Sequence, residues 1–148
     1  MSQVLTLLLA DDDPDDLQLL QEGLNRVIPD HILQYVDNGD KLFQASITHQ
    51  PDIIFLDINM PGRDGPECLK QLKADDMVSE IPVVMYSSSS ASWSFDECYK
   101  LGAARYLIKP VTYTGIFKGL EVILDLYRSN QLVRPHFDQF VIDTYKMG

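Results

Sequence analysis

The chain has 148 residues, enough for one domain with a real core but too few for two ordinary domains. Its hydrophobic share of 45% and charged share of 23% match a soluble globular protein rather than a disordered one. Twelve Lys and Arg stand against 22 Asp and Glu, a formal charge of −10, and no basic cluster offsets it, so direct nucleic-acid binding is not expected.

Short apolar runs alternate with amphipathic stretches five times. Val4–Ala10 is a buried-strand candidate, followed by a helix over Pro14–Ile28 in which Leu17, Leu20, Leu24 and Ile28 recur at helical spacing. Ile32–Val36 is a shorter strand and Asp40–His49 a second helix. Asn38-Gly39 reads as a loop entering that helix, because no alternating strand follows it. Asp52–Asp57 is a third strand, and Gly65–Ala74 a helix with Leu69 and Leu72 inward.

Pro82–Ser87 is the fourth strand, with a helix from Ser92 to Leu101 that stops at Gly102. Ala104–Ile108 is the fifth strand. Thr112–Arg128 is the last long helix, with Ile116, Leu120, Ile123, Leu124 and Tyr127 as its buried stripe. Strands apolar on both faces, alternating with helices, predict an α/β fold with helices on both faces of a parallel sheet. Five strands give a flavodoxin-like, doubly wound sheet in the order 2-1-3-4-5. Beyond residues 4–128, Phe137, Phe140, Val141 and Tyr145 fit one helical face, so the extension over 129–148 reads either as a short amphipathic helix after Pro135 or as a frayed tail.

The N-terminal apolar run ends at Ala10 without a basic segment before it, so it is not expected to be a signal peptide. No stretch reaches membrane-span length, and a cytoplasmic location is expected. Cys68 and Cys98 lack the spacing of a metal site or a disulfide framework, which fits a reducing compartment.

The informative polar residues close the strands. The first ends in Asp11-Asp12-Asp13, the third in Asp57, the fourth in Ser87 and the fifth in Lys109-Pro110. The predicted order makes the first and third strands neighbours, which brings Asp11, Asp12 and Asp57 to one end of the sheet. Three carboxylates that close cannot all stay ionised without a cation, and hard oxygen ligands suit Mg²⁺. A lysine for phosphoryl oxygens, a serine hydroxyl and a carboxylate nucleophile complete the equipment of phosphoryl transfer. Singly, each feature is ordinary: an acidic helix start, a strand-ending aspartate, a capping serine, a Lys-Pro turn. Their joint placement at the ends of different strands is what points to chemistry.

Leu7-Leu8-Leu9-Ala10-Asp11-Asp12, Phe55-Leu56-Asp57-Ile58-Asn59-Met60-Pro61, Pro82-Val83-Val84-Met85-Tyr86-Ser87 and Tyr106-Leu107-Ile108-Lys109-Pro110 resemble the motifs of response-regulator receiver domains of two-component signalling. The resemblance covers residues 4 to 128. It implies a signalling receiver rather than an enzyme, stand-alone and similar to the chemotaxis regulators. Asp57 would accept a phosphoryl group from a sensor histidine kinase or phosphotransfer protein. Asp12 would ligate Mg²⁺ directly and Asp11 through water, with Asp57 and the Asn59 carbonyl as further ligands. Lys109 would contact the acyl phosphate, and Ser87 and Tyr106 would form the switch that changes binding to a downstream protein target. Val111 departs from the Phe common after the family's Lys-Pro.

A pseudo-receiver that binds partners without phosphorylation is the alternative function, and the complete acidic pair, acceptor and lysine argue against it. The acidic loop after the first strand does not suit a flavodoxin's phosphate, and Asn59 replaces the second aspartate of a haloacid-dehalogenase-type phosphatase. Residues 129–148 are too few for a helix-turn-helix effector, so no output domain is expected in them, and the acidic balance also argues against DNA. A further expectation is that the stripe within residues 135–146 packs either across a homodimer interface through the final helices or back on its own domain.

Overall fold

The computed structural model describes residues 4–146, so the last two positions of the extension predicted over 129–148 lie outside the described residues. The strands are β1 (Leu5–Ala10), β2 (His31–Val36), β3 (Ile53–Leu56), β4 (Val83–Ser87), β5 (Arg105–Ile108) and β6 (Val141–Ile142). The helices are α1 (Pro14–Val27), α2 (Leu42–His49), α3 (Gly65–Lys73), α4 (Ser92–Lys100) and α5 (Tyr113–Arg128). The order is β2-β1-β3-β4-β5-β6 with every pair parallel.

Alternation along each strand divides the core in two. Leu8, Ala10, Ile54, Leu56, Val83 and Met85 face one side, where Leu69 and Leu72 of α3 and Cys98 of α4 cover them. Leu7, Leu9, Ile53, Phe55, Val84 and Tyr86 face the other, under Leu20 and Leu24 of α1 and Ile116, Leu120, Ile123 and Leu124 of α5. Strands covered on both faces must be apolar throughout, which is why β1, β3 and β4 read as nearly continuous apolar runs. Tyr127, assigned to the buried stripe of α5, sits at its margin, and its hydroxyl donates to Asp52 Oδ1 at 3.1 Å.

Helix starts follow from their caps. The Asp13 side chain accepts from the Asp15 N–H at 2.9 Å ahead of Pro14, and Asp64 and Thr112 cap α3 and α5 in the same way. At the start of α3, a Cβ on Gly65 would stand 2.4 Å from the Asp57 carbonyl oxygen. Only glycine lets that helix approach the end of β3 so closely.

The C-terminal segment corrects two expectations. It forms no amphipathic helix, and the sheet has six strands among the described residues rather than five. After a short 3₁₀ turn at Phe137–Gln139, Val141 and Ile142 pair with Tyr106 and Leu107, and the Tyr106 N–H donates to the Phe140 carbonyl at 3.0 Å. The physical reason is the free edge of β5. Its unpaired backbone groups accept another strand, and the Phe140-Val141-Ile142 run suits extended backbone better than one helical turn. Phe140 is fully buried, and the segment packs on its own domain, leaving Phe137 and Tyr145 of the expected stripe exposed.

The buried Arg105 side chain secures the connector. Its guanidinium donates to the carbonyls of Ala104, Val133 and Gln131. Arg134 stacks 3.8 Å above the Tyr99 ring, whose hydroxyl donates to the Pro135 carbonyl at 2.6 Å. Cation–π stacking and these hydrogen bonds tie the segment to α4.

Candidate functional site

The chain runs from β1 outward to β2 and returns to β3 on the other side, so a crevice opens beyond the carboxyl ends of β1 and β3, where open α/β sheets take their ligands. Asp11 and Asp12 follow β1, Asp57 follows β3, Ser87 closes β4 and Lys109 follows β5. Asp12, Asp16, Asp57, Asn59, Ser87 and Lys109 line one recess at that end. Asp11 lies just beneath, fully buried.

Asp11, Asp12 and Asp57 each offer a carboxylate oxygen, all within 4.8 Å of one another. Burial pushes the Asp57 carboxyl up to about 6 and the Asp11 carboxyl upward as well; the nearby Asp11 charge adds to the first effect and Lys109 opposes it. Asp57 Oδ1 accepts from the Ile58 N–H at 2.8 Å, which leaves Oδ2 facing the lysine.

Lys109 Nζ stands 2.9 Å from Asp11 Oδ2, 2.6 Å from Asp16 Oδ2 and 3.4 Å from Asp57 Oδ2. Burial alone would weaken its hold on the proton, but the Asp16 and Asp11 carboxylates beside it outweigh that and raise its pKa. The contact with Asp11 Oδ2 is close in distance yet poorly aligned, so that buried oxygen has no well-formed hydrogen bond among the described residues. A buried carboxylate oxygen left in this condition favours an added cation.

The acidic trio fits a hard divalent ion. Few carboxylates, room for water and neighbouring space for phosphoryl oxygens are the donor set that Mg²⁺ takes. Ser87 Oγ accepts from the Ser89 N–H at 3.2 Å, in position to exchange that bond for another partner.

Tyr106 is not in the recess. It is fully buried on the opposite side of β5 from Leu107, and its hydroxyl lies 3.0 Å from the Ser89 carbonyl and 3.1 Å from Ser94 Oγ. Its ring meets Phe95 edge-on at 4.7 Å. Tyr106 therefore touches the loop that follows Ser87 without touching the carboxylates. Asp16 is the site residue that sequence reasoning missed, since in the sequence it is one more aspartate of an acidic helix start. The available signal was its place in the first turn of a helix that opens directly at a strand end.

Residues 7–121 match the family described as response regulator receiver domain. An uncharacterized response regulatory protein of Vibrio cholerae is 30% identical over 88% of this chain and 49% of its own length. The chain thus spans about half the length of that relative. The phosphorylated cyanobacterial phytochrome response regulator RcpA superposes with a TM-score of 0.76, at 27% identity, over 86% of this chain and 96% of its own. The Mn²⁺-bound form of response regulator Rcp1 gives 0.70 at 29% identity, over 83% and 94%.

Proposed function

The chain belongs to the response regulator receiver domain family, and from that premise we propose that Asp57 accepts a phosphoryl group from a histidine kinase and thereby switches protein binding. The observation that carries the reading is the convergence of Asp57 Oδ2, the Asp11–Asp12 pair and Lys109 at the ends of three different strands. Likeness to a regulator described as phosphorylated, and to one described as Mn²⁺-bound, supports both the chemistry and the metal class.

In the transfer, Asp57 Oδ2 attacks the phosphorus of a phosphohistidine on the donor. The new O–P bond forms as the P–N bond breaks, and the departing imidazole nitrogen keeps the electron pair and takes up a proton. Asp11, Asp12, Asp57 and Asn59 would hold Mg²⁺, which when bound supplies charge neutralisation for the transferring phosphoryl oxygens. The Ile58 N–H holds Asp57 Oδ1 and so orients the attacking oxygen. Lys109 contributes a positive charge beside the acyl phosphate formed. Ser87 then gives up its contact with Ser89 to bind a phosphoryl oxygen. The loop through Ser89, to which the Tyr106 hydroxyl is bonded, moves with it.

The upstream partner is a sensor histidine kinase or a phosphotransfer protein, in the cytoplasm. Similarity to a phytochrome response regulator makes a phytochrome-type kinase the donor to test first. The downstream partner is a protein rather than nucleic acid, in keeping with the net charge of −10. A second copy of the chain is a further partner. Val133, Phe137 and Tyr145 remain exposed on the C-terminal segment and mark where it would pack.

A kinase carrying radiolabelled phosphohistidine should pass its label to the chain in the presence of Mg²⁺. The label should be released by hydroxylamine, as an acyl phosphate is. Label stable to hydroxylamine, or transfer undiminished after chelation of divalent ions, would overturn the assignment.

A further inference from the structure

The receiver reading accounts for Asp11, Asp12, Asp57 and Lys109 but gives no task to Asp16, although Asp16 makes the shortest contact of Lys109 in the site. We propose that Asp16 is a positioning residue: it parks the Lys109 ammonium on the α1 side of the recess, and an incoming phosphoryl group must draw it away. This deepens the proposed function and rests on Asp57 being the acceptor.

The geometry argues for competition rather than simple support. Lys109 Nζ hydrogen-bonds Asp16 Oδ2 at 2.6 Å, while the contact with Asp57 Oδ2 is stretched to 3.4 Å. The Asp57 oxygen that must attack is therefore the one held least closely by the cation. Asp16 stands outside the trio able to share a metal ion, so bound metal would not take over its charge. It also lines the recess that would receive the donor's phosphate, where a carboxylate repels the incoming anion. A short pair between side chains 93 positions apart, with side-chain exposures of only 11% and 21%, is too confined to be an ordinary surface salt bridge.

Two consequences separate parking from a merely structural tie. Neutralising Asp16 should free Lys109 for the donor's phosphate and remove a repelling charge, so anionic donors should bind more tightly. The step after binding should change little, because the contact of the Asp16 carboxylate in the site is with Lys109 and not with the attacking oxygen or a metal ligand.

The test is saturation kinetics of labelling by acetyl phosphate with Mg²⁺, on the full chain and on Asp16→Asn and Asp16→Glu. For Asp16→Asn the half-saturating donor concentration should fall, on the order of fivefold, with the maximal rate little changed. Asp16→Glu keeps the charge and should stay near the wild type. An unchanged or higher half-saturating concentration in Asp16→Asn, beside a normally labelled wild type, would overturn the parking role alone, as would Asp16→Glu behaving like Asp16→Asn. Absence of label in the wild type would instead defeat the reading of Asp57, and this proposal with it.

Discussion

The Tyr106 and Phe140 rings meet at 66° with centroids 6.3 Å apart, while the Tyr106 N–H donates to the Phe140 carbonyl at 3.0 Å. The C-terminal segment is thereby bonded, through backbone and ring, to the residue assigned to the switch. Tyr99 of α4 completes the cluster, 5.2 Å from Phe140.

Phe140 is fully buried, so Phe140→Ala should destabilise the protein by about 3–5 kcal/mol. Thermal unfolding checks this. A cost below about 1 kcal/mol would mean that the segment does not pack as described. Sedimentation of the full chain and of a form ending at Arg128 tests self-association through the same segment. The full chain should associate and the shortened one should do so more weakly.

Asp57 is a buried carboxyl crowded by Asp11, and Lys109 retains Asp16 and Asp11 if Asp57 is neutralised. Asp57→Asn should therefore stabilise the metal-free protein, by roughly 1–3 kcal/mol. The pH dependence has a definite sign. The folded carboxyl titrates at about 6 and the unfolded one near 3.8, so between these values the folded state binds more protons. Wild-type stability in chelator should fall as pH rises from about 4 to 6, and Asp57→Asn should lack most of that fall. Melting curves across this range, with and without the substitution, provide the check. Lys109, whose pKa is raised, contributes fully below about 10.5 and loses that contribution as the pH rises further.

Mg²⁺ should relieve the same crowding. It should raise the melting temperature of the wild type and leave that of Asp12→Ala unchanged, because Asp12 is the exposed member of the acidic trio and gives direct access to the ion. Equal shifts in both proteins would place the metal elsewhere.

The switch assignment can be read through Trp93, the chain's single tryptophan, which lies exposed near the start of α4. Phosphorylation should change its fluorescence in the wild type. Ser87→Ala should still be phosphorylated but should lose most of that change. A full response in Ser87→Ala would remove the hydroxyl from the switch.

What the sequence made legible follows from the range of the interactions involved. Leu17, Leu20 and Leu24 report their helix by local spacing, and the first five strands report theirs by local apolar runs. Asp11, Asp57 and Lys109 could be brought together because strand order alone decides which strand ends are neighbours. β6 was not legible, because Phe140, Val141 and Ile142 extend only through pairing with the distant edge of β5. Their spacing also suited a helix, and short apolar runs do not discriminate the two. Asp16 escaped notice for a similar reason, since its partner is 93 positions away.

The most direct test of the central claim is the intact mass of the protein after incubation with acetyl phosphate and Mg²⁺. The wild type should gain one phosphoryl group and Asp57→Asn none. Full labelling of Asp57→Asn, or a wild type that takes up no phosphate at all, would contradict the assignment of Asp57 as the acceptor.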